Sequence, residues 1–249
     1  MLLPALACHA ETGQLVRIGS DDWVPYVDAQ RADHGAVARL VSAVFAAAGY
    51  RVEYVFYPWG RNELMLQQGA LDAIMPYSCG PARQAYALCS QALARGEMVL
   101  FHRQAQPFDW TRIADLARYR LGTTLGYSYG PQFDEAQRQG QLQVEQIGKE
   151  DNAFRLLALG RIDLHPQDRA VGYATLRRLF PGTADIVHHP HYLNTETLHL
   201  LFRKSDPAAE EMRQRFDQAL ERFARRGDLA RLQEALYSGN ADNWQPSGD

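Results

Sequence analysis

The stretch VARLVSAVFAAAGYRVEYVFY, residues 37–57, contains the two side-chain patterns that decide the fold class. Its first half repeats apolar residues at the spacing of a helix that buries one face: Val37, Leu40, Val41, Val44, Phe45 and Ala48. Gly49 follows at the position where glycine commonly ends a helix. Residues 51–57 are then rich in β-branched and aromatic side chains, which favour a strand. The stretch therefore predicts a helix followed by a strand.

The segments on both sides continue this alternation. Residues 15–19 predict a strand before the helix, and residues 62–68 and 71–75 predict a short helix and a third strand after it. Such an order is typical of a parallel α/β arrangement, and it restarts after Pro107. Further helices are predicted at 110–116 with Asp109 as its cap, 131–138, 151–159, 169–179, 208–226 and 229–237. Further strands are predicted at 98–103, 120–122, 144–147, 162–164, 186–189 and 198–203.

A weak internal echo indicates two similar lobes. Gly69-Ala-Leu71-Asp72 and Gly160-Arg-Ile162-Asp163 each close a helix and open a strand. No linker rich in glycine, serine or proline separates the two halves, so we expect strands that cross between them. The predicted lobe 1 is 14–103 plus 195–249, and the predicted lobe 2 is 104–194. The hinge strands are expected near 102–105 and 194–197.

Composition narrows the class of protein. The chain has 249 residues, of which 46% are hydrophobic and 22% charged, the usual mix of a soluble globular protein. Lysine and arginine number 26 against 29 acidic residues. The chain therefore lacks the excess of basic residues that would indicate a nucleic-acid partner. No apolar run reaches the roughly 18 residues that a membrane-spanning helix needs.

The N-terminal residues MLLPALACHA resemble the end of a secretory signal that is cleaved after Ala10. We interpret residues 1–13 as a signal-peptide remnant, with an ordinary disordered N-terminus as the alternative. A lipoprotein signal at Cys8 fits less well, because Ala5 stands where leucine is usual. Export would leave Cys79 and Cys89, which could form a disulfide or remain two buried free thiols.

Gly126-Tyr-Ser128-Tyr-Gly130 matches the G-x-S-x-G pattern of hydrolase nucleophiles and lies between a predicted strand and a predicted helix. A triad would need Asp163 or Asp168 and one histidine of the later cluster. No His-Gly-Gly segment precedes the pattern to form an oxyanion hole. We therefore favour a glycine-flanked turn whose amides and hydroxyl hold a ligand.

The histidines His188, His189 and His191 are close enough in sequence to consider a zinc site. No cysteine or acid cluster nearby completes a ligand set, so we favour a solvated surface and predict no metal. Aromatic and charged residues also follow the first three predicted strands, where open parallel sheets bind ligands. The alternative for each of them is a packing role; those residues are Asp22, Trp23, Tyr26, Tyr57, Trp59, Arg61, Tyr77, Ser78 and Arg83.

Taken together, these motifs resemble the periplasmic solute-binding proteins of polar amino-acid ABC transporters (family 3), over roughly residues 16–236. The resemblance rests on the order of several short pieces: Ile18-Gly19-Ser20-Asp21 with Trp23 and Pro25, Gly69-x-Leu71-Asp72, Arg83 with Tyr86, residues 122–129, and Gly160-Arg161-Ile162-Asp163 with Asp168. It implies an α/β, two-lobed periplasmic-binding-protein-like fold (type II), each lobe a mostly parallel sheet flanked by helices. It implies no cofactor, and a monomer.

The resemblance also implies roles for individual residues. Trp23 would stack on the ligand, and Arg83 would bind its α-carboxylate. Tyr127 and Ser128 would supply a hydroxyl and amides to the same carboxylate, and Asp168 would bind the α-ammonium. A zwitterion leaves water only if both charges find partners, so a ligand bridging the cleft would favour the closed state.

The sequence departs from the family pattern before Arg83. Residues 76–82 are about one residue short, and Gly80 stands where a ligand-binding threonine is usual. Tyr57-Pro-Trp59-Gly-Arg61 resembles a divergent branch, in which Arg61 either supplies the missing donor or is an exposed helix residue. The complete predicted ligand-binding set is Asp21, Trp23, Tyr26, Trp59, Arg61, Tyr77, Ser78, Arg83, Tyr127, Ser128 and Asp168.

The sequence thus predicts an exported, periplasmic protein that binds a small polar, amino-acid-like zwitterion and delivers it to an ABC permease. One alternative is a ligand-sensing protein that docks on a membrane receptor. Two others are enzymes on the same fold: the serine hydrolase above, or a dehydratase in which Asp168 or Asp21 acts as a general acid with a pKa raised by burial.

Overall fold

The computed structural model describes residues 13–182 and 185–248; the predicted signal-peptide residues before Gly13 lie outside this part. The strands are β1 Gln14–Ser20, β2 Tyr50–Phe56, β3 Ala73–Ser78, β4 Ala87–Cys89, β5 Ala94–Arg103, β6 Arg120–Thr124, β7 Gln143–Ile147, β8 Leu164–Asp168, β9 Ile186–His188 and β10 Asn194–Arg203. The α-helices are α1 Ala36–Ala47, α2 Trp59–Gln67, α3 Pro81–Gln84, α4 Pro131–Arg138, α5 Glu150–Ala158, α6 Arg169–Leu179, α7 Ala209–Arg225 and α8 Asp228–Ser238. Two 3₁₀ helices cover Ile113–Arg118 and Ala241–Asn243.

Two parallel groups of strands are joined through two long antiparallel ones. The order of the sheet is β2-β1-β3-β10-β5-β8-β6-β7, with β4 also paired to β10 and β9 to β5. β1 is parallel to β2 and β3, and β6 is parallel to β7 and β8. β5 and β10 are antiparallel to each other and to their other neighbours. The result is the predicted α/β fold, built on a mixed sheet.

The buried apolar residues form separate clusters for the two groups of strands. Around β1 and β10, Phe45 packs against Phe202 and Phe216, with 4.8 Å between the ring centroids of Phe45 and Phe216. Beside β8, Phe101 packs against Phe154 with ring centroids 5.3 Å apart. Separate cores support the two predicted lobes, whose boundaries stay a prediction.

Helix α6 lies very close to β5. A Cβ atom at Gly172 would come within 2.3 Å of the Phe101 ring, so only glycine allows this approach. Gly49, with φ +87°, ends α1 as predicted. Among residues 13–182 and 185–248, no helix has the length and apolarity that a bilayer crossing requires.

Two predicted elements are wrong in position. Residues 110–116 do not form an α-helix capped by Asp109; the segment is the 3₁₀ helix Ile113–Arg118. Its start is fixed by the Asp115 carboxylate, which accepts the backbone N–H groups of Thr111 and Arg112 at 3.0 and 2.9 Å. The strand predicted at 162–164 is β8, which extends to Asp168.

Cys79 and Cys89 form a disulfide, which decides between the two alternatives for these residues. It connects the segment after β3 to β4, and the chain between the two cysteines contains α3 with Arg83. The disulfide therefore closes a small loop around Arg83, to which the family resemblance assigns the ligand carboxylate.

Candidate functional site

A small cavity of about 140 Å³ lies between the two groups of strands, and we call it the inner cavity. Its lining is Trp23, Trp59, Pro76, Tyr77, Ser78, Arg83, Met98, Gly126, Tyr127, Ser128, Gln167, Glu196 and Leu198. A second cavity of about 540 Å³, the outer cavity, shares Ser78, Ser128 and Glu196 with it. The inner cavity thus joins side chains from the predicted first lobe to the loop at 126–128 and to β8.

Aromatic rings form one wall of the inner cavity. Trp23 stacks on Tyr26 with ring centroids 4.4 Å apart, and Trp59 meets Trp23 edge-on at 6.0 Å. Trp59 also contacts the Tyr77 ring at 5.1 Å, and the Tyr77 hydroxyl donates to the Trp59 carbonyl at 2.9 Å. Each ring is held by another ring, so the wall is preorganised for an apolar or stacking contact with a ligand.

The Arg83 guanidinium is the basic group of the inner cavity lining. Its Nη1 donates to Ser78 Oγ at 2.8 Å, and its Nε and Nη2 donate to Glu63 Oε1 at 3.1 and 2.9 Å. The Tyr86 hydroxyl holds the other Glu63 oxygen at 2.8 Å. Since its orientation is fixed by these contacts, Arg83 is ready to bind an acceptor without a large loss of side-chain entropy.

The loop at 126–130 is held by the first turn of α4. Ser128 Oγ donates to Asp134 Oδ2 at 2.5 Å, and the Tyr129 N–H donates to Asp134 Oδ1 at 2.9 Å. Gly130, with φ +109°, lies against Asn194, where a Cβ atom would come within 2.8 Å. These contacts hold Tyr127 and Ser128 in the lining of the inner cavity.

The structure does not assemble the alternative hydrolase triad. Within the described residues, the side chain that Ser128 contacts by hydrogen bond is Asp134 and not a histidine. Asp163 pairs with Arg120 at 2.6 Å. His188 Nδ1 shares a hydrogen bond of 2.7 Å with the Tyr173 hydroxyl. The G-x-S-x-G pattern here is a turn, as the sequence analysis favoured.

Asp168 and Tyr26 do not line the inner cavity. Both are fully buried, and the Tyr26 hydroxyl donates to the Asp168 carboxylate at 3.1 and 3.2 Å. The same carboxylate accepts the backbone N–H groups of Glu97, Ala170 and Val171 at 3.0, 2.9 and 3.2 Å. Burial raises the pKa of Asp168 to about 6. In this conformation Asp168 caps α6 and has no free face for an ammonium group.

Asp21 and Arg61 also lie outside the cavity lining. Asp21 Oδ2 accepts the Trp59 N–H at 3.2 Å at the start of α2, and burial raises the pKa of this carboxyl. Arg61 is exposed, with its guanidinium 4.3 Å above the Tyr57 ring. Of the two interpretations of Arg61, the structure shows the exposed helix residue.

Gln167 and Glu196 line the inner cavity and were missed in the sequence. Gln167 lies in the part of β8 that the predicted strand did not reach, and Glu196 lies on β10 opposite Gly96. Burial raises the pKa of Glu196, while a hydrogen bond from the Ser78 side chain and the nearby Arg83 charge act in the opposite direction. The signal that could have identified them is a polar side chain inside or beside a buried strand, because a buried polar group requires a hydrogen-bond partner.

The histidine cluster is only partly a solvated surface. His191 is exposed and stacks on Trp110 with ring centroids 4.3 Å apart. His189 is buried against Phe108 at 4.8 Å. Over residues 13–182 and 185–248, no three potential ligands of these residue types come together as a metal site.

Comparison with known proteins gives one family and many similar folds. The family model for bacterial extracellular solute-binding proteins, family 3, matches residues 16–238. A mutant of ArgBP from T. maritima is 19% identical, with 90% of this chain and 95% of that chain covered and a TM-score of 0.72. The amino-acid ABC transporter substrate-binding protein AbpA from Streptococcus pneumoniae, bound to L-arginine, is 15% identical, with 91% and 96% covered and a TM-score of 0.72.

A histidine kinase sensor domain with similarity to periplasmic binding proteins is also similar in fold. It is 19% identical, 96% of this chain and 100% of that chain are covered, and the TM-score is 0.74. No curated protein matches this sequence. At these identities the solved structures establish the fold alone.

Proposed function

Because the chain belongs to the bacterial extracellular solute-binding proteins of family 3, we propose that it captures an amino acid or related compound and delivers it to an ABC permease. Capture takes place in the inner cavity. Proteins of this family are extracellular and bind solutes, which favours a binding role over the two enzyme alternatives. The proposed compartment is the periplasm, and a disulfide between Cys79 and Cys89 agrees with an oxidising compartment.

The observation that carries this proposal is the lining of the inner cavity. Arg83 and the aromatic wall lie on one side, and the 126–128 loop and Gln167 lie on the other. A ligand that fills this space contacts both sides, so it binds the closed arrangement better than an open one. AbpA, one of the similar structures, is bound to L-arginine, which supports an amino acid as the ligand.

The dehydratase alternative has less support from the geometry. It needs an acid with a raised pKa at the substrate, and burial does raise the pKa of both Asp21 and Asp168. Neither carboxylate lines the inner cavity, and each is occupied by backbone N–H donors. The two groups therefore serve the fold rather than a bound substrate.

We test the proposal by calorimetric titration of the purified protein with the common amino acids, polyamines and small carboxylates. We expect an amino acid to bind, and Arg83→Met to weaken it by at least ~10-fold, because a hydrogen bond to a charged group contributes about 1.5–3 kcal/mol. Arg138→Met is the matched control, since Arg138 lies exposed on α4 and pairs with Glu135. Equal affinity of the Arg83 variant and the wild type would contradict the proposed site.

A sensing role is the second candidate, supported by the likeness to the histidine kinase sensor domain over the whole of that chain. Uptake of the identified amino acid by cells lacking the protein separates the two roles. Delivery to a permease predicts that uptake falls. Unchanged uptake with a lost transcriptional response to the ligand would favour sensing.

A further inference from the structure

Gln167, a residue of the inner cavity lining, carries a buried hydrogen-bond donor that has no partner within the described residues. The residue is fully buried on β8, and it belongs to the cavity lining. Its Oε1 accepts the Asp168 N–H at 2.7 Å, which fixes the orientation of the amide. Its Nε2 then has no hydrogen-bond partner in the described part of the chain. A buried amide N–H₂ group without an acceptor is unfavourable, so this position is built for an acceptor that arrives with a ligand.

Glu196 places a carboxylate in the same wall. It is half-buried on β10 and lines both the inner and the outer cavity. Among residues 13–182 and 185–248, no lysine, arginine or histidine nitrogen lies within ion-pair distance of it. Arg83 donates to Glu63, and Glu196 receives a hydrogen bond from Ser78 and the longer-range attraction of the Arg83 charge, without a direct ion pair. A half-buried carboxylate in this state is stabilised by an incoming cation.

Because Asp168 is buried and already hydrogen-bonded, Gln167 and Glu196 are the polar groups on this side of the cavity that a ligand can meet. The ammonium partner that the family pattern assigns is covered by the Tyr26 hydroxyl and three backbone N–H groups. A positively charged group in the inner cavity meets Glu196 instead. Arg83, Gln167 and Glu196 all line this one cavity of about 140 Å³, so a small ligand bound in it lies beside all three residues.

We propose that Gln167 and Glu196 form the head-group subsite for an α-amino acid, with Gln167 Nε2 and Arg83 donating to the ligand carboxylate and Glu196 accepting from its ammonium group. This inference rests on the proposed function and deepens it by assigning the ligand class. Dicarboxylates without an amine would be repelled by Glu196, and polyamines would leave the Gln167 donor unpaired. The subsite therefore selects compounds that carry both charges close together.

The experiment uses two isosteric variants and a pair of matched controls. Gln167→Glu keeps the oxygen that accepts the Asp168 N–H and removes the donor, and Glu196→Gln removes the negative charge. The controls are Gln146→Glu and Glu145→Gln, which make the same two changes at exposed positions of β7. Affinity is measured by calorimetric titration for the amino acid that the wild type binds and for its analogue lacking the amine.

We expect Gln167→Glu to lose at least ~10-fold in affinity for the amino acid, since a hydrogen bond to a charged group is lost. Glu196→Gln should lose at least ~10-fold for the amino acid while binding the analogue as well as, or better than, the wild type does. Both controls should bind like the wild type. If Gln167→Glu does not fold, Gln167→Met tests the loss of the donor without adding a charge, and it also removes the acceptor of the Asp168 N–H.

Unchanged amino-acid affinity in either site variant would overturn the subsite while leaving the proposed function intact. A wild type that binds none of the amino acids would overturn the proposed function and the subsite with it. A Glu196→Gln variant that loses the same factor for the amino acid and for the analogue would also contradict the ammonium contact.

Discussion

At the scale of single residues, the site depends on side chains whose polar atoms are already occupied. Asp168 caps α6 and is covered by Tyr26, whereas Arg83 is oriented by Glu63 and Ser78 and uses one of its two Nη2 hydrogens within the described residues, which leaves the other for a ligand. Occupied groups hold a fixed position, so they give the cavity its shape. The groups left open, such as the Gln167 amide, are those that a ligand can still satisfy.

The buried carboxyl of Asp168 predicts a pH dependence of stability. Burial raises its pKa from 3.8 to about 6 in the folded state. Between those values the unfolded chain releases the proton while the folded protein keeps it, so this group's contribution to stability is lost as pH rises from about 4 to 6. A shift of about two pKa units corresponds to about 3 kcal/mol, as an order of magnitude.

Chemical denaturation at pH 4 and pH 6 measures this effect. Asp168→Asn removes the titration and also loses an acceptor for the Glu97 N–H, so we expect a less stable protein overall. The expected result is that its free energy of unfolding falls less between pH 4 and 6 than that of the wild type. Asp109→Asn, at a carboxylate that is 91% exposed, should keep the wild-type slope. Equal slopes for wild type and Asp168→Asn would contradict the raised pKa.

At the scale of elements, α3 depends on the Cys79–Cys89 disulfide for its position. The helix has only four residues and contributes none to a buried core. Its residue Arg83 is therefore positioned by the closed loop and by the Glu63 and Tyr86 side chains.

The variant Cys79→Ser with Cys89→Ser tests this dependence. We expect a loss of about 2–3 kcal/mol in unfolding free energy, because opening a short loop restores conformational freedom to the unfolded chain. We also expect weaker ligand binding, since Arg83 must then be ordered on binding. Thermal unfolding and calorimetric titration, with and without reductant, measure both effects. Reductant should reproduce the effects in the wild type and leave the variant unchanged; a wild type indifferent to reductant would contradict the prediction.

The close approach of α6 to β5 gives a prediction at the same scale. Gly172→Ala would push a methyl group into the Phe101 ring, and overpacking of this kind costs about 1–3 kcal/mol. Gly60→Ala is the matched control on α2, where no atom lies within 4 Å of the added carbon. There we expect a gain of up to about 1 kcal/mol, because alanine favours the helix. Thermal unfolding of the two variants should shift in opposite directions, and a stabilising Gly172→Ala would be inconsistent with the packing described.

At the scale of the whole molecule, the sequence predicted the fold class and most elements because their signals are local. Helix α1 shows a full apolar stripe, and Gly49 ends it by backbone geometry alone. The site is harder, because it depends on where strands end relative to one another. Trp59 and Arg83 were found at strand ends, whereas Gln167 was missed because β8 extends four residues beyond the predicted strand. Arg61 and Asp168 were assigned to the ligand; neither lines the inner cavity in this structure, where Arg61 lies over the Tyr57 ring and Asp168 is covered by Tyr26.

Strand β5 leads the chain from the group around β1 to the group around β6, and strand β10 leads it back. They lie side by side, with Met98 opposite Asn194. The part of the chain between them thus leaves and returns at neighbouring points, as an inserted module does. A fluorescent reporter placed beside the Met98–Asn194 pairing would lie where the two groups of strands meet, and it would convert a change in their arrangement on ligand binding into an optical signal.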